Sequence, residues 1–486
     1  MLKKTIIKSG ITLALATLLY SCDDGLNTIP TDRFASENIV TSQDGIKALL
    51  YSAYSNNNRG YDFKDVINEL EVCTDMAFNR NGAENRDLIQ FINFTVDASS
   101  GRISYLWNRS YFTIRDANLV VESLEKANLD ESFEKETMAE ARYLRAFEYA
   151  ELYKLFGPVP LRTGTNQDAN LPAASADDIK SFIETELIAA AQDLPDPGKE
   201  ELYGRATKGS ALAILAKFYL NTQQWQKVVD VTQQIMNLNY YQLYPAYRDM
   251  FFVANEGNKE MIVAWPQLNQ DGHTNAFPNG AFPPGFKKAA NIPEFEWNSN
   301  MANWATQYSL RDEFVDSFDP ADDRLQAIVQ VYQNSKGETV NLRTTTDNSR
   351  SFKFFDQAQV ANNSGNDFPV VRYADILLSR AEALNQLNGP TQESVDLVNQ
   401  VRNRSHAPAY TLAAVGNKST FKDLILKERG FEFFTEGKRR EDLIRNEEYI
   451  SKAQERGVNA KAYNVLFPIP ESEINNNPLI SQNEGY

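Results

Sequence analysis

Residues Glu140 to Pro160 read EARYLRAFEYAELYKLFGPVP. At about 100° per residue the apolar side chains Ala141, Leu144, Phe147, Ala150, Leu152, Leu155 and Phe156 spread around most of a helical cylinder instead of forming one stripe. Neighbours must therefore cover this helix on several sides, which makes it the central element of a helical assembly. Glu140, Glu151 and Lys154 share a narrow polar face. Arg142 and Arg145 fall nearly opposite, beside Tyr149 and Phe156, and need carboxylates from elsewhere in the chain. Glu428 and Glu432, one turn apart, are the expected partners, while Glu436 and Arg440 read as an i,i+4 pair. Gly157 stops the helix, and Pro158 and Pro160 prevent its resumption.

The remaining helical patterning repeats in pairs. Helices are expected at Asp44–Tyr54, Asp65–Asp75, from Ser104 through Trp107, and at Asp177–Leu194, with a long loop between Met76 and Arg102. Two paired helices meet at Asn221 to Gln224, where Ala206, Ala211, Ala213 and Ala216 permit close approach. A second pair divides at Gly389-Pro390, with Ala381 and Ala383 in the tight positions. These are tetratricopeptide-like units, and about four of them would make a right-handed superhelical half. The expected fold is mainly α: a helical-repeat scaffold (about 42–239 plus 369–486) carrying an irregular, ligand-facing lobe (about 240–368) of short helices and strands. Residues 42–486 would form a single body.

Lys3, Lys4 and Lys8 precede an apolar run from Ile11 to Leu19 and then Leu-Tyr-Ser-Cys at 19–22. This is the pattern of a secretory leader, residues 1–21, ending at a lipidation site, Cys22, with 22–41 as a lipidated tether. The run is too short to span a bilayer, which takes ~20 residues. Acyl chains on Cys22 would anchor the chain, at about 0.8 kcal/mol per buried methylene. The only other cysteine outside the leader is Cys73, read as a small buried hydrophobe. Formal charge is -16, and removing the three leader lysines gives -16 - 3 = -19, which argues against nucleic acid as a partner.

Catalysis finds little support. His273 and His406 stand in unrelated contexts, no phosphate-binding or dinucleotide fingerprint is present, and DPADDR at 319–324 reads as a solvated turn more readily than as a calcium loop. No cofactor or metal is expected. Binding finds more. A sugar offers an apolar ring face edged by hydroxyls, so its site needs flat aromatics together with amides or guanidinium groups. Phe282, Phe286, Trp297, Trp304 and Tyr308 interleave with Asn291, Asn298, Asn300 and Asn303. Trp107, at helical spacing with Tyr111 and Ile114, reads as core.

E-A-R-x-L-R-A followed by Tyr149, Leu152, Phe156 and G-P-V-P resembles the signature helix of the SusD/RagB family of Bacteroidetes surface lipoproteins. RYADILLSRAEALN from Arg372, NQVRNRS from Asn399, ILKERGFEFFTEGKRREDLIR from Ile425 and LFPIPESEINNNPLISQNEGY from Leu466 resemble further family motifs in the family's order. The resemblance implies a non-enzymatic, cell-surface, outer-membrane lipoprotein of polysaccharide utilisation that captures glycan and passes it to a SusC-like TonB-dependent transporter. Asp23 and Asp24 match the family's surface-export signal. The loop near the first helices, here Phe78, Asn79 and Arg80, joins the lobe in the family's glycan sites by position, not residue by residue. Capture of peptides, as in the RagB branch, and a structural lid without a ligand site remain the alternatives.

Overall fold

The structure, a computed structural model, describes residues 42–59, 67, 69–80, 82, 84–305 and 307–486. The leader, Cys22, the tether and part of the expected helix 65–75 lie outside the described residues.

Apolar periodicity sets the scaffold. Helices α1 (Gln43–Asn57), α2 (Asn85–Asn93), α3 (Gly101–Leu124), α4 (Glu131–Phe156), α5 (Ala176–Asp193), α6 (Lys208–Asn221) and α7 (Trp225–Asn237) build the amino-terminal half. Each long helix packs on the next: α1 on α3, α3 on α4, α4 on α5, α5 on α6 and α6 on α7. The array resumes after the lobe with α10 (Tyr373–Asn388), which packs on α7, α11 (Gln392–Arg404) and α12 (Lys418–Phe433), and ends in the short α13 (Arg439–Arg445), α14 (Tyr449–Glu455) and α15 (Glu471–Asn476). The lobe's own short helices are α8 (Phe277–Ala281) and α9 (Asp312–Asp316). Trp107, Cys73 and all six small residues named above are buried.

The central helix α4 is buried around its circumference, as its patterning requires: Ala141, Leu144, Phe147, Tyr149, Leu152, Leu155 and Phe156 all lie in the core. Asp130 caps its start by accepting from the N–H groups of Ser132 and Phe133 at 3.0 and 3.2 Å. Its end is closed from far along the chain. Phe467 N–H donates to Leu155 O at 2.8 Å, and Asn483 Nδ2 donates to Phe156 O at 2.9 Å and to Phe467 O at 2.7 Å. Gly157 permits this exit, with φ 74° and Leu466 Cδ1 only 3.1 Å from where a Cβ would stand.

Four charge assignments from the sequence are corrected. Glu140 is buried, where it accepts from Arg205 Nε at 2.9 Å and from the Tyr54 hydroxyl at 2.5 Å. Arg145 pairs with Glu186 of the adjacent α5 (Nε to Oε2, 3.0 Å) and donates to Asn118 Oδ1 at 2.7 Å, because those groups already flank it. Glu428 and Glu432 instead take Arg324 of the lobe and Arg402, Arg404 and Arg372 of the scaffold. Glu436 and Arg440 do not pair, since α12 ends between Glu432 and Glu436 and α13 begins afresh. Glu436 turns inward to Arg372 and Lys353, while the Arg440 guanidinium lies 4.3 Å from the centroid of Phe467.

The segment 76–102 is not loop throughout. β1 (Ala77–Phe78) comes first, and then α2 buries Leu88, Phe91 and Ile92 at i, i+3 and i+4. Within and around the lobe, β2 (Met261–Trp265) pairs antiparallel with β9 (Phe368–Arg372), joining the lobe's entry to its exit. β3 (Phe286–Lys288), β6 (Val331–Asn334) and β7 (Thr339–Asn341) form a three-stranded sheet, β5 (Ile328–Val329) pairs with β8 (Arg350–Ser351), and β1 pairs with β4 (Ser309–Leu310). Among the described residues no helix is long and apolar enough to cross a membrane.

Candidate functional site

The lobe's aromatics divide into a core and a rim. Phe282 and Phe286 are fully buried and pack with Phe295 and Phe352, the ring centroids separated by 4.8 to 6.3 Å. With no open face they cannot receive a ligand, which corrects the reading that placed them on a sugar platform. An irregular segment rich in Pro and Gly has no periodic stripe to lend to the scaffold, so it builds a small core from its own phenylalanines. Tyr308 is likewise buried. Its hydroxyl donates to Glu71 Oε2 at 2.5 Å, and the Glu71 carboxylate also accepts the N–H groups of Thr435, Glu436 and Gly437. Tyr308 thus ties lobe to scaffold. Asn79 is buried too and donates to Asn85 Oδ1 at 3.0 Å, holding the start of α2.

Three of the sequence-selected residues stay partly open near one another's strands. Phe78 is half-buried on β1, which β4 holds through the Phe78–Ser309 register and a 3.1 Å bond from Ser309 Oγ to Phe78 O. The Arg80 guanidinium lies 5.9 Å from the Phe78 ring centroid and that of Arg311 lies 5.2 Å from it. Arg80 donates to Thr346 O. Trp304, half-buried, is positioned by α8: its N–H donates to Asn279 O at 2.8 Å, and four residues on Tyr308 N–H donates to Gly280 O at 3.3 Å. β1, the Trp304 segment and the turn at 346–350 therefore meet around α8 and β4.

Charge at this rim is positive although the chain is acidic. Burial, and then the neighbouring Arg80, push the Arg350 guanidinium down to about 10, and burial, then Arg456, do the same to Arg311. Asp347 lies 3.6 Å from Arg311. Arg350 spends its donors on Tyr308 O, Asn348 O and Asn348 Oδ1. Arg311 was not legible as a site residue, because only the fold carries it to Phe78.

Trp297 stands apart from Trp304. It lies at the margin of the phenylalanine core, its N–H donates to Lys287 O at 2.8 Å, and its buried Nε1 finds no acceptor among the described residues. Asn298 Oδ1 accepts Asn300 N–H at 2.9 Å, Asn291 donates to Gln326 O and Ile328 O, and Asn303 donates to Pro283 O, so these amides shape the loop. Among the described residues no group of three or more His, Cys, Asp and Glu is arranged to hold a metal. Asp322 of the DPADDR turn is buried against Arg324 (2.7 Å), and His406 meets Asp323.

Two family models cover the chain, one described as the SusD family over residues 221–486 and one described as starch-binding and associating with the outer membrane over 28–220. The chain belongs to the SusD family. Its relatives in that family include the starch-binding protein SusD of Bacteroides thetaiotaomicron, 23% identical over 99% of both chains, and the SusD-like protein P38 of Formosa agariphila, 24% identical over 99% of both. Among solved SusD-family structures, a laminarin-binding SusD-like protein superposes with a TM-score of 0.78 (24% identity; 92% of this chain, 100% of that one). Surface glycan-binding protein A of B. thetaiotaomicron in complex with laminarihexaose gives 0.74 (19% identity; 90% and 98%). These likenesses bear out the helical-repeat fold with its attached lobe.

Proposed function

We propose that this SusD-family chain is a cell-surface glycan-capture protein, lipidated at Cys22, that delivers oligo- or polysaccharide to a partner TonB-dependent transporter and does not itself cleave it. The observation that carries the reading is the rim where Phe78, flanked by the guanidiniums of Arg80 and Arg311, pairs with Ser309, five residues after the half-buried Trp304. Flat ring faces beside hydrogen-bond donors match a sugar's apolar face and hydroxyl edge. The names of the starch-binding and laminarin-binding relatives point the same way.

Affinity electrophoresis in gels containing starch, laminarin or other neutral polymers tests it. Retardation by one polymer, weakened about tenfold by Trp304→Ala or Arg80→Ala in variants that keep their circular dichroism, is the expected result. Absence of retardation by every polymer, with binding of a peptide or none, would replace glycan capture by peptide capture or by a lid without a ligand.

A further inference from the structure

Away from the lobe rim, a cleft of about 490 Å³ opens between the carboxyl-terminal half of α1, the turn Leu202–Arg205 and the end of β2. That volume lies in the range of small-molecule sites, ~300–1,000 Å³. Large apolar side chains gather at its mouth without being covered: Tyr51 is 40% exposed, Tyr203 44% and Leu202 55%. Single exposed hydrophobics are ordinary, but three converging on one depression are not accounted for by the core.

The aromatic faces are held rigidly. Gly204, at φ 90°, lets the turn press onto Pro266, whose Cγ stands 2.3 Å from where a Cβ would be. Arg205 clamps the same turn to the scaffold through Glu140, and its guanidinium lies 6.0 Å from the Tyr51 ring centroid. The Tyr203 ring lies against Gly257, 3.5 Å from a Cβ position there. Rings fixed in this way lose little freedom on binding.

The polar lining supplies hydrogen-bond donors. Arg205 is occupied by Glu140 and Glu201, and the terminal nitrogens of Arg109 donate to Asn56 Oδ1, Ser55 O and Asn58 O. The acceptors of Arg109 are neutral groups, so its guanidinium keeps its charge, and its Nε has no acceptor among the described residues; the exposed Ser55 and Tyr51 add hydroxyls, while the Gln267 amide donates to Asn58 Oδ1 and Trp265 O. Stacking faces, hydroxyl groups and the guanidinium donor of Arg109 together suit the hydroxyl-edged ring of an uncharged sugar.

We infer that this cleft is a second binding site, for a neutral oligosaccharide segment, with Tyr51 and Tyr203 as its stacking faces. The inference rests on the glycan-capture reading but shares no residue with the lobe rim. It is tested on the full chain by affinity electrophoresis in laminarin or starch, and by titration calorimetry with laminarihexaose and maltohexaose. The comparison is between wild type, Trp304→Ala, the double variant Tyr51→Ala/Tyr203→Ala, and Tyr203→Phe. Expected are about two bound hexasaccharides per wild-type chain and one in the double variant, with at least about fivefold weaker retardation. Tyr203→Phe should bind as wild type, because the ring face is kept. Trp304→Ala should keep a residual retardation that adding the double substitution abolishes. A folded double variant that binds as wild type overturns the second site while leaving capture at the rim intact. A wild-type chain retarded by no neutral polymer overturns both.

Discussion

Glu432 is fully buried and serves Arg324, Arg372 and Arg404 together. Burial alone would raise its carboxyl, but those guanidiniums hold it down at about 2. Glu432→Ala would leave three buried cations short of a partner and should cost about 3–5 kcal/mol of unfolding free energy, read from the urea midpoint. A loss under about 1 kcal/mol would show the web to be redundant. The sequence correctly suggested that Glu428 and Glu432 answer buried arginines, but named the wrong arginines, since partner choice depends on tertiary neighbours, here 26 to 108 residues away. Glu256 behaves oppositely. Burial, and then Asp367 and Asp356 beside it, push it up to about 8, and burial raises Asp367 to about 6, with the Tyr203 hydroxyl its neighbour. The folded state therefore holds these protons more tightly than the unfolded chain. Their contribution is fully present below about pH 4, the ordinary carboxylate range, and is lost as pH rises through 6 and then 8. The melting temperature should fall over that interval, and Glu256→Gln should flatten the fall; an unchanged profile would refute it.

At the scale of elements, the scaffold was legible wherever an apolar period ran for three or more turns. The division at Gly389-Pro390 and the joint at Asn221 to Gln224 match α10/α11 and α6/α7. α2 was missed because its nine residues follow a polar, Asn-rich turn and carry only three buried positions. In the lobe the same residue types make core and rim, so Phe282, Phe286 and Tyr308 could not be told from Trp304 and Phe78 without the fold. The end of α4 offers a test of how such an element is closed. Gly157→Ala places a Cβ in a left-handed conformation against Leu466 and should cost about 1–2 kcal/mol. Asn483→Ala, which removes two bonds to carbonyls, should cost about the same. Denaturant midpoints equal to wild type in both variants would show the closure to be dispensable.

Across the whole molecule, one continuous apolar cluster runs from Ile46 to Ile480 and takes in Phe277, Tyr308 and Leu310 of the lobe. Arg324 and Lys353 of the lobe end on Glu428, Glu432 and Glu436 of the scaffold. Lobe and scaffold should accordingly unfold together, and calorimetry should record a single transition; two resolved transitions would mark the lobe as a separate unit. The closure of α4 also sets an order of assembly. The Phe156 carbonyl waits for an amide 327 residues further along. Closing so long a loop adds little thermodynamic cost, because that cost grows only with the logarithm of length, but it does delay folding. A chain emerging residue by residue stays unlatched, and still able to thread through a pore, until its distal segment arrives to seal the helix that was made first.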